Sequence, residues 1–285
     1  MICALCPRNC GADREKEKGF CGAGAAAVVA RAELHFWEEP YLAGGGASGA
    51  VFFSGCNLQC AFCQNQKISF SVSGEETSAK RLADVFRSLE DEGAENIDLI
   101  TPTPYVDSIK AALDLYRPSA PVIYNSGGYE KKETIASLKG YIDVYLPDYK
   151  YFDDALAVKY SRAPRYREFC EEAILEMRAQ VEDVVEDGVL KKGVAIRHLV
   201  LPTHARDSIA VLDRVFALLG KDVFLSIMSQ YVPCGDLSRF PELTRTLSPL
   251  EYKAVLSHAE KLGFENAFMQ EMSAAKKDFI PQFLR

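Results

Sequence analysis

The chain has 285 residues, 48% of them hydrophobic, with a formal net charge of −7 and nine cysteines. An acidic chain lacks the basic surface that general nucleic-acid binding needs, and no run of 18 apolar residues marks a membrane span. Clustered cysteines point to metal binding rather than a disulfide scaffold, and with no apolar leader core at the start the expected location is cytoplasmic.

The first cysteine group comes at once: Cys3-x2-Cys6-x3-Cys10-x10-Cys21, with turn glycines at Gly19 and Gly22. Four thiols so closely spaced suit a closed tetrahedral site. Zinc is the simplest occupant, and an auxiliary iron–sulfur cluster would use the same thiolates. Residues 25–37 alternate and suggest a hairpin. Glu38-Glu39-Pro40 and the glycine-rich link Gly44-Gly45-Gly46 follow. Residues 1–46 therefore read as a cysteine-rich N-terminal metal-binding extension, and 47–285 as the main unit.

That unit opens with a buried strand over 50–53, followed by Ser54-Gly55-Cys56-Asn57-Leu58-Gln59-Cys60-Ala61-Phe62-Cys63-Gln64-Asn65. Cys56, Cys60 and Cys63 have C-x3-C-x2-C spacing. Three thiolates hold three irons of a [4Fe–4S] cluster and leave the fourth open to a ligand; zinc with a distant fourth ligand is the competing reading. Helical periodicity then covers 78–92, with Leu82, Val85, Phe86 and Leu89 on one face. Strands and helices alternate from there: strand 96–101, helix 105–116, strand 121–124, helix 131–138, strand 141–146, helix 166–181. After a charged stretch to Lys192 come strand 194–201, helix 208–219, strand 223–228, helix 249–262 and a short strand at 266–270. Such alternation implies parallel strands with right-handed crossovers. Periodicity alone does not separate an open sheet from a barrel.

The C-x3-C-x2-C loop after a strand resembles that of the radical S-adenosylmethionine (SAM) enzymes. Several further stretches resemble the pyruvate formate-lyase activating enzyme-like branch of that superfamily: Leu5-Cys6-Pro7-Arg8-Asn9-Cys10-Gly11, Phe36-Trp37-Glu38-Glu39-Pro40, Cys63-Gln64-Asn65, Leu146-Pro147-Asp148-Tyr149-Lys150-Tyr151, Arg197-His198-Leu199-Val200-Leu201-Pro202 and Ser229-Gln230-Tyr231. The resemblance implies a partial (β/α)6 TIM-type barrel with function gathered at the C-terminal strand ends. It also implies reductive cleavage of SAM to a 5′-deoxyadenosyl radical, the cofactor carrying the hard chemistry.

The resemblance carries over residue by residue. Asn65 matches a SAM contact, with helix capping as its other reading. Many of these enzymes have Gly-Gly-Glu at the second strand end to bind the SAM ammonium. This chain departs from that, with Thr101-Pro102-Thr103-Pro104, whose carbonyls and hydroxyls can still accept from an ammonium. Asn125 and Ser126, before Gly127-Gly128, are expected at the methionine or ribose part of SAM. Asp148-x-Lys150 resembles a motif whose lysine reaches the SAM carboxylate; two apart on extended chain, both side chains point one way. Arg197 is a SAM or substrate contact, while His198 on the opposite face is structural. Gln230 and Tyr231 are candidates for the substrate side, and Cys170 and Cys234 read as inert thiols. The implied substrate is a glycine of a partner protein, or else a small molecule or peptide; the non-enzymatic alternative is an iron–sulfur electron carrier or redox sensor. A flavodoxin or ferredoxin is the implied reductant.

Overall fold

The computed structural model describes residues 2–274; the end of the 47–285 unit, 275–285, lies outside them. Strand β1 (Ala27–His35) runs antiparallel to β2 (Ser48–Phe53), and the one-turn helix α1 (Pro40–Ala43) lies between them in the chain. The cysteine loop leads through α2 (Gln66–Ser69) to β3 (Glu75–Thr77), which pairs with the start of β1. Then come α3 (Ala79–Asp91), β4 (Ile97–Ile100), α4 (Val106–Leu115), β5 (Val122–Ser126), α5 (Lys132–Ala136) and β6 (Val144–Pro147). Helices α6 (Asp154–Ser161) and α7 (Tyr166–Gln180) precede the hairpin of β7 (Val184–Glu186) and β8 (Val189–Leu199). Last are α8 (Ala205–Leu219), β9 (Phe224–Met228), α9 (Pro249–Leu262) and β10 (Ala267–Met269).

One sheet holds the strands in the order β10-β9-β8-β6-β5-β4-β2-β1-β3, with β7 paired to β8. Along the order from β2 to β10 every pair is parallel, with β7 antiparallel to β8 beside it, so the expected partial α/β barrel is present, its seventh parallel strand the short β10. Among the described residues no helix is long and apolar enough to cross a membrane.

The two-residue period of a strand sorts the interior. Val51, Phe53, Leu99, Tyr124, Tyr145 and Ile196 face the helices and join their apolar sides in the main core. From α3 this core takes Leu82, Phe86 and Leu89, each worth about 2 kcal/mol of burial. The alternate residues face the lumen, where Ile123, Val144, Ala195 and Phe224 pack around Tyr41 and Leu42 of α1. The Tyr41 ring lies 5.6 Å from that of Phe224, and Asn96, ahead of β4, donates to the Leu42 carbonyl at 2.9 Å. Helix α1 therefore plugs the N-terminal end of the barrel and leaves the C-terminal end for chemistry.

Helix starts follow the sequence closely. Ser78 caps α3 by accepting from Arg81 N–H, and Ser248 and Glu251 form a reciprocal capping box at α9. One local expectation differs, and two elements were not read from the sequence. The stretch 25–37 holds the single strand Ala27–His35, not a hairpin, because its partner is β2 rather than a neighbouring arm. The stretch before Lys192 is a hairpin, turning at Asp187-Gly188, both with positive φ, as a tight two-residue turn requires. Helix α6 is two turns long and too short for its period to stand out.

Gly55, where β2 enters the cysteine loop, has φ +88°, and a β-carbon there would lie 2.6 Å from the Cys21 carbonyl oxygen. Gly55→Ala is therefore expected to cost at least the about 1–2 kcal/mol of a left-handed non-glycine residue and to detach the N-terminal segment. A lower thermal midpoint with faster proteolysis of residues 2–24 is the expected result; wild-type behaviour in both would show that the approach is not tight.

Candidate functional site

A cavity of about 420 Å³ occupies the C-terminal end of the barrel and runs down its lumen. Cys56, Cys60 and Cys63 stand at its rim. Each sulfur has a hydrogen-bond partner: Leu58 N–H donates to Cys56 at 3.4 Å, Ser161 Oγ to Cys60 at 2.9 Å, and the Ser69 hydroxyl lies 3.3 Å from Cys63. Burial pushes the Cys56 thiol up to about 11 and the Cys63 thiol up to about 12. Thiols so placed become thiolates when a cation binds them, and donors aimed at sulfur suit ligation of an iron–sulfur cluster. The residues present thus fit the group that their spacing implies.

The loop holding them is anchored from outside. Asn57 donates to the Tyr129 carbonyl at 2.7 Å, and Ala61 N–H to the Tyr160 carbonyl at 2.8 Å. Arg8, between the N-terminal cysteines, reaches under the loop: Nε donates to the Asn57 carbonyl at 2.6 Å, Nη2 to Ser161 at 2.8 Å, and Nη1 to the Arg162 carbonyl. Its guanidinium lies over the Phe20 ring at 4.0 Å.

Every residue expected around the cofactor lines this cavity: Asn65, Thr101, Thr103, Asn125, Ser126, Asp148, Lys150 and Arg197. Several are locked to one another. Asp148 accepts from Lys150 Nζ at 2.6 Å and from Arg197 Nε at 2.9 Å. Arg197 Nη2 donates to Asn125 Oδ1 at 2.6 Å, and Asn125 Nδ2 to Asp98 Oδ2 at 3.0 Å. A string of polar groups thus crosses β6, β8, β5 and β4 inside the barrel. Burial alone would raise the Asp148 carboxyl; Arg197 and Lys150 outweigh it and hold Asp148 below its ordinary range. Asp98 goes the other way: burial, then the neighbouring Glu38, push it well above the carboxylate range.

Asn65 precedes α2 without a side-chain capping bond, so its amide remains available to the cavity. Thr101 holds a left-handed φ of 60°, a strained conformation for a β-branched residue. The Thr103 hydroxyl donates to Glu130 at 2.6 Å and keeps only its lone pairs for a ligand. His198 faces away from the lumen as expected, its Nδ1 against the Tyr149 carbonyl at 2.7 Å. Its Nε2 is buried without a partner, and burial lowers the ring to about 4. Gln230 lines the cavity, but Tyr231 does not: it is buried and donates to the Leu243 carbonyl at 2.7 Å. Cys170 is buried, and Cys234 points at the carbonyls of Phe62 and Cys63.

Sequence reasoning missed the acidic side of the cavity. Glu38 and Glu39, given no role at the site from sequence, line its wall together with His35 and Trp37. Asp98 was passed over inside the apolar run Ile97-Asp98-Leu99-Ile100. A carboxylate at a lumen position of a buried strand was the available signal.

Cys3, Cys6, Cys10 and Cys21 line a second, small cavity beside Arg8, Asn57 and Thr103. Gly19 lies between two of these thiols, its β-carbon position 3.4 Å from the Cys10 sulfur and 3.6 Å from that of Cys21. Among the described residues no three His, Cys, Asp or Glu side chains surround one point closely enough to hold a single ion.

Two tests follow from this geometry. Arg8→Ala is expected to cost about 2 kcal/mol or more, as charge-assisted bonds are lost, and to speed amide exchange over residues 57–63; Arg8→Lys, without the planar fork, recovers only part, and unchanged exchange in both would sink the clamp. Burial raises Glu130 to about 8, so the folded state holds that proton more tightly than the unfolded chain. Its contribution is complete below about pH 4.5 and is lost as pH rises to 8. Glu130→Gln should flatten the stability profile across that window and exceed the wild type in stability above pH 8; parallel profiles would contradict this.

Comparison with known proteins places the cysteine loop within a matched segment. Residues 42–143 match a family model described as a 4Fe-4S single cluster domain. An uncharacterized protein of Methanocaldococcus jannaschii is 29% identical over 276 residues, 92% of this chain and 75% of that protein. Methylornithine synthase shares the fold at a TM-score of 0.51 and 14% identity, and native anSMEcpe with bound AdoMet at 0.51 and 14%. Each match covers 75% of this chain, which spans only 60% and 59% of those two. The chain thus shares a 4Fe-4S segment with that family model and its partial barrel with those two structures.

Proposed function

We propose that Cys56, Cys60 and Cys63 hold a [4Fe–4S] cluster whose open iron faces SAM in the barrel cavity. The observation that supports this reading is three thiols on the rim of a cavity walled by fixed charges, Cys60 buried and accepting from Ser161 Oγ, Cys56 accepting from Leu58 N–H, and Cys63 beside the Ser69 hydroxyl. When bound, the cluster supplies an electron that cleaves SAM, yielding a 5′-deoxyadenosyl radical that takes hydrogen from a substrate. Lys150 offers a positive charge to the SAM carboxylate, and Asp148 fixes its direction. Asn65, with the Thr101 and Thr103 oxygens, serves the amino-acid end. Asn125, Ser126 and the bare backbone of Gly127 serve the ribose; a β-carbon at Gly127 would lie 2.5 Å from Leu58 Cδ1. Arg197, held by Asp148 and Asn125, stiffens this wall.

The Asp148-x-Lys150 motif favours hydrogen abstraction from a glycine of a partner protein, in the manner of glycyl-radical activases; a small molecule or peptide is the second reading. The electron comes from a flavodoxin or ferredoxin. The four N-terminal thiols are a second site, for zinc or an auxiliary iron–sulfur cluster, around which they would have to draw together, and Arg8 ties their segment to the cluster loop.

Anaerobic reconstitution with iron and sulfide, then SAM and dithionite, should give 5′-deoxyadenosine in the wild type and none in Cys56→Ala. Iron and zinc content of Cys3→Ser and Cys21→Ser identifies the second site. A wild type with a full cluster and no 5′-deoxyadenosine would move the reading to an electron carrier or sensor.

A further inference from the structure

Ser161 ends helix α6 and has no exposed surface. A serine inside or at the end of a helix usually turns its hydroxyl back to a carbonyl one turn earlier. Ser161 Oγ instead donates to the Cys60 sulfur at 2.9 Å, 101 residues away in the chain. This is a shorter contact than those of Leu58 N–H with Cys56 or Ser69 with Cys63, and Cys60 is the buried member of the three.

Behind Ser161 stands Tyr151, 1% exposed, its hydroxyl 2.7 Å from Ser161 Oγ and beside the same sulfur. Ser161 has one hydroxyl proton and gives it to Cys60. The Tyr151 proton therefore goes to Ser161 Oγ or to the sulfur directly. In both arrangements two hydroxyl groups act in series or side by side on one thiol, and among the described residues neither donates elsewhere.

Both groups are held in place. The Ser161 carbonyl accepts from Arg8 Nη2 at 2.8 Å. The Tyr160 carbonyl accepts from Ala61 N–H at 2.8 Å, which pins the residue after Cys60 to the residue before Ser161. The Tyr151 ring packs edge-on against Tyr166, 5.4 Å away. Tyr151 also follows Lys150 in the chain, so one buried serine joins the cluster loop, the N-terminal segment and the end of β6.

A thiolate on iron carries part of the charge that an added electron brings. Hydroxyl groups aimed at its sulfur favour the reduced cluster over the oxidised one, and such bonds are among the levers that set a cluster's potential. Burial strengthens them, because little solvent screens the bond. We infer that Ser161, backed by Tyr151, is a positioning residue that raises the reduction potential of a cluster held by Cys56, Cys60 and Cys63. The inference rests on the proposed reading of Cys60 as a cluster ligand.

The test is a redox titration of the anaerobically reconstituted protein without SAM, following the electron paramagnetic resonance signal of the reduced cluster. Iron and sulfide are counted first. At the potential where the wild type is half reduced, the reduced-to-oxidised ratio of Ser161→Ala is expected to be about fivefold lower, the worth of one hydrogen bond. Tyr151→Phe, which keeps the ring, is expected to shift the midpoint the same way by less. Ser161→Thr, which keeps the hydroxyl, is expected to hold most of the wild-type value. Tyr160→Phe, whose hydroxyl faces His204 and Glu242 instead, is expected to leave the midpoint unchanged. Should Ser161→Ala assemble no cluster, Tyr151→Phe carries the measurement. Full clusters with unmoved midpoints overturn the inference alone, as does an equal shift in Tyr160→Phe, which would mark a general loosening of α6. A wild type that assembles no cluster overturns the inference together with the reading it rests on. SAM cleavage is judged separately, by 5′-deoxyadenosine, which this titration does not use.

Discussion

Asp148 lies between Lys150 and Arg197 inside a protein wall, and the rest of the site is arranged around that fact. A lone buried carboxylate would take up a proton. Two cations within 3 Å keep it charged instead, and in return it fixes their directions. Arg197 has enough donors to continue the string to Asn125, and Asn125 turns its amide to Asp98. Four strands thereby share one set of polar contacts across the lumen. Breaking one partner of such a set leaves a buried charge uncompensated, which costs far more than the set gains over an apolar core. A polar lumen is therefore poor evidence of selection for stability, and it points to ligand binding.

The same logic explains the N-terminal segment. A loop with three thiols has few apolar residues of its own to hold it. Arg8 supplies donors to loop carbonyls that no strand or helix satisfies, and the Cys21 carbonyl rests against Gly55. The cysteine-rich segment and the cluster loop are thus one mechanical unit, although more than 30 residues of sequence and the strand β1 lie between their cysteines. Anything that orders the four N-terminal thiols also orders Arg8.

Much of this was legible in the sequence, for physical reasons. The helix over 79–91 announces itself through Leu82, Phe86 and Leu89 at helical spacing and a serine cap. Lumen and helix sides of the strands follow from alternation, so Arg197 and His198 could be assigned to opposite faces. The site residues lay at strand ends, where a parallel barrel gathers them. What was not legible depended on contacts made far along the chain. The mate of β1 is β2, and no local pattern distinguishes that from a hairpin. Tyr231 sits beside Gln230 in sequence but turns to Leu243, because its ring is needed against Phe62, 6.0 Å away.

The acidic residues show the limit most clearly. Glu38-Glu39 beside a proline looks like a solvated turn, and a solvated turn is what such a sequence usually forms. Here Pro40 begins α1, which enters the barrel with Tyr41 and Leu42 buried, and the two glutamates are carried into the lumen just ahead of it. Their position is a consequence of where an apolar plug must go. Asp98 meets Glu38 only because that plug seats beneath β4. The charge of the cavity is thus set by two segments of ordinary appearance, brought together by the closing of the barrel.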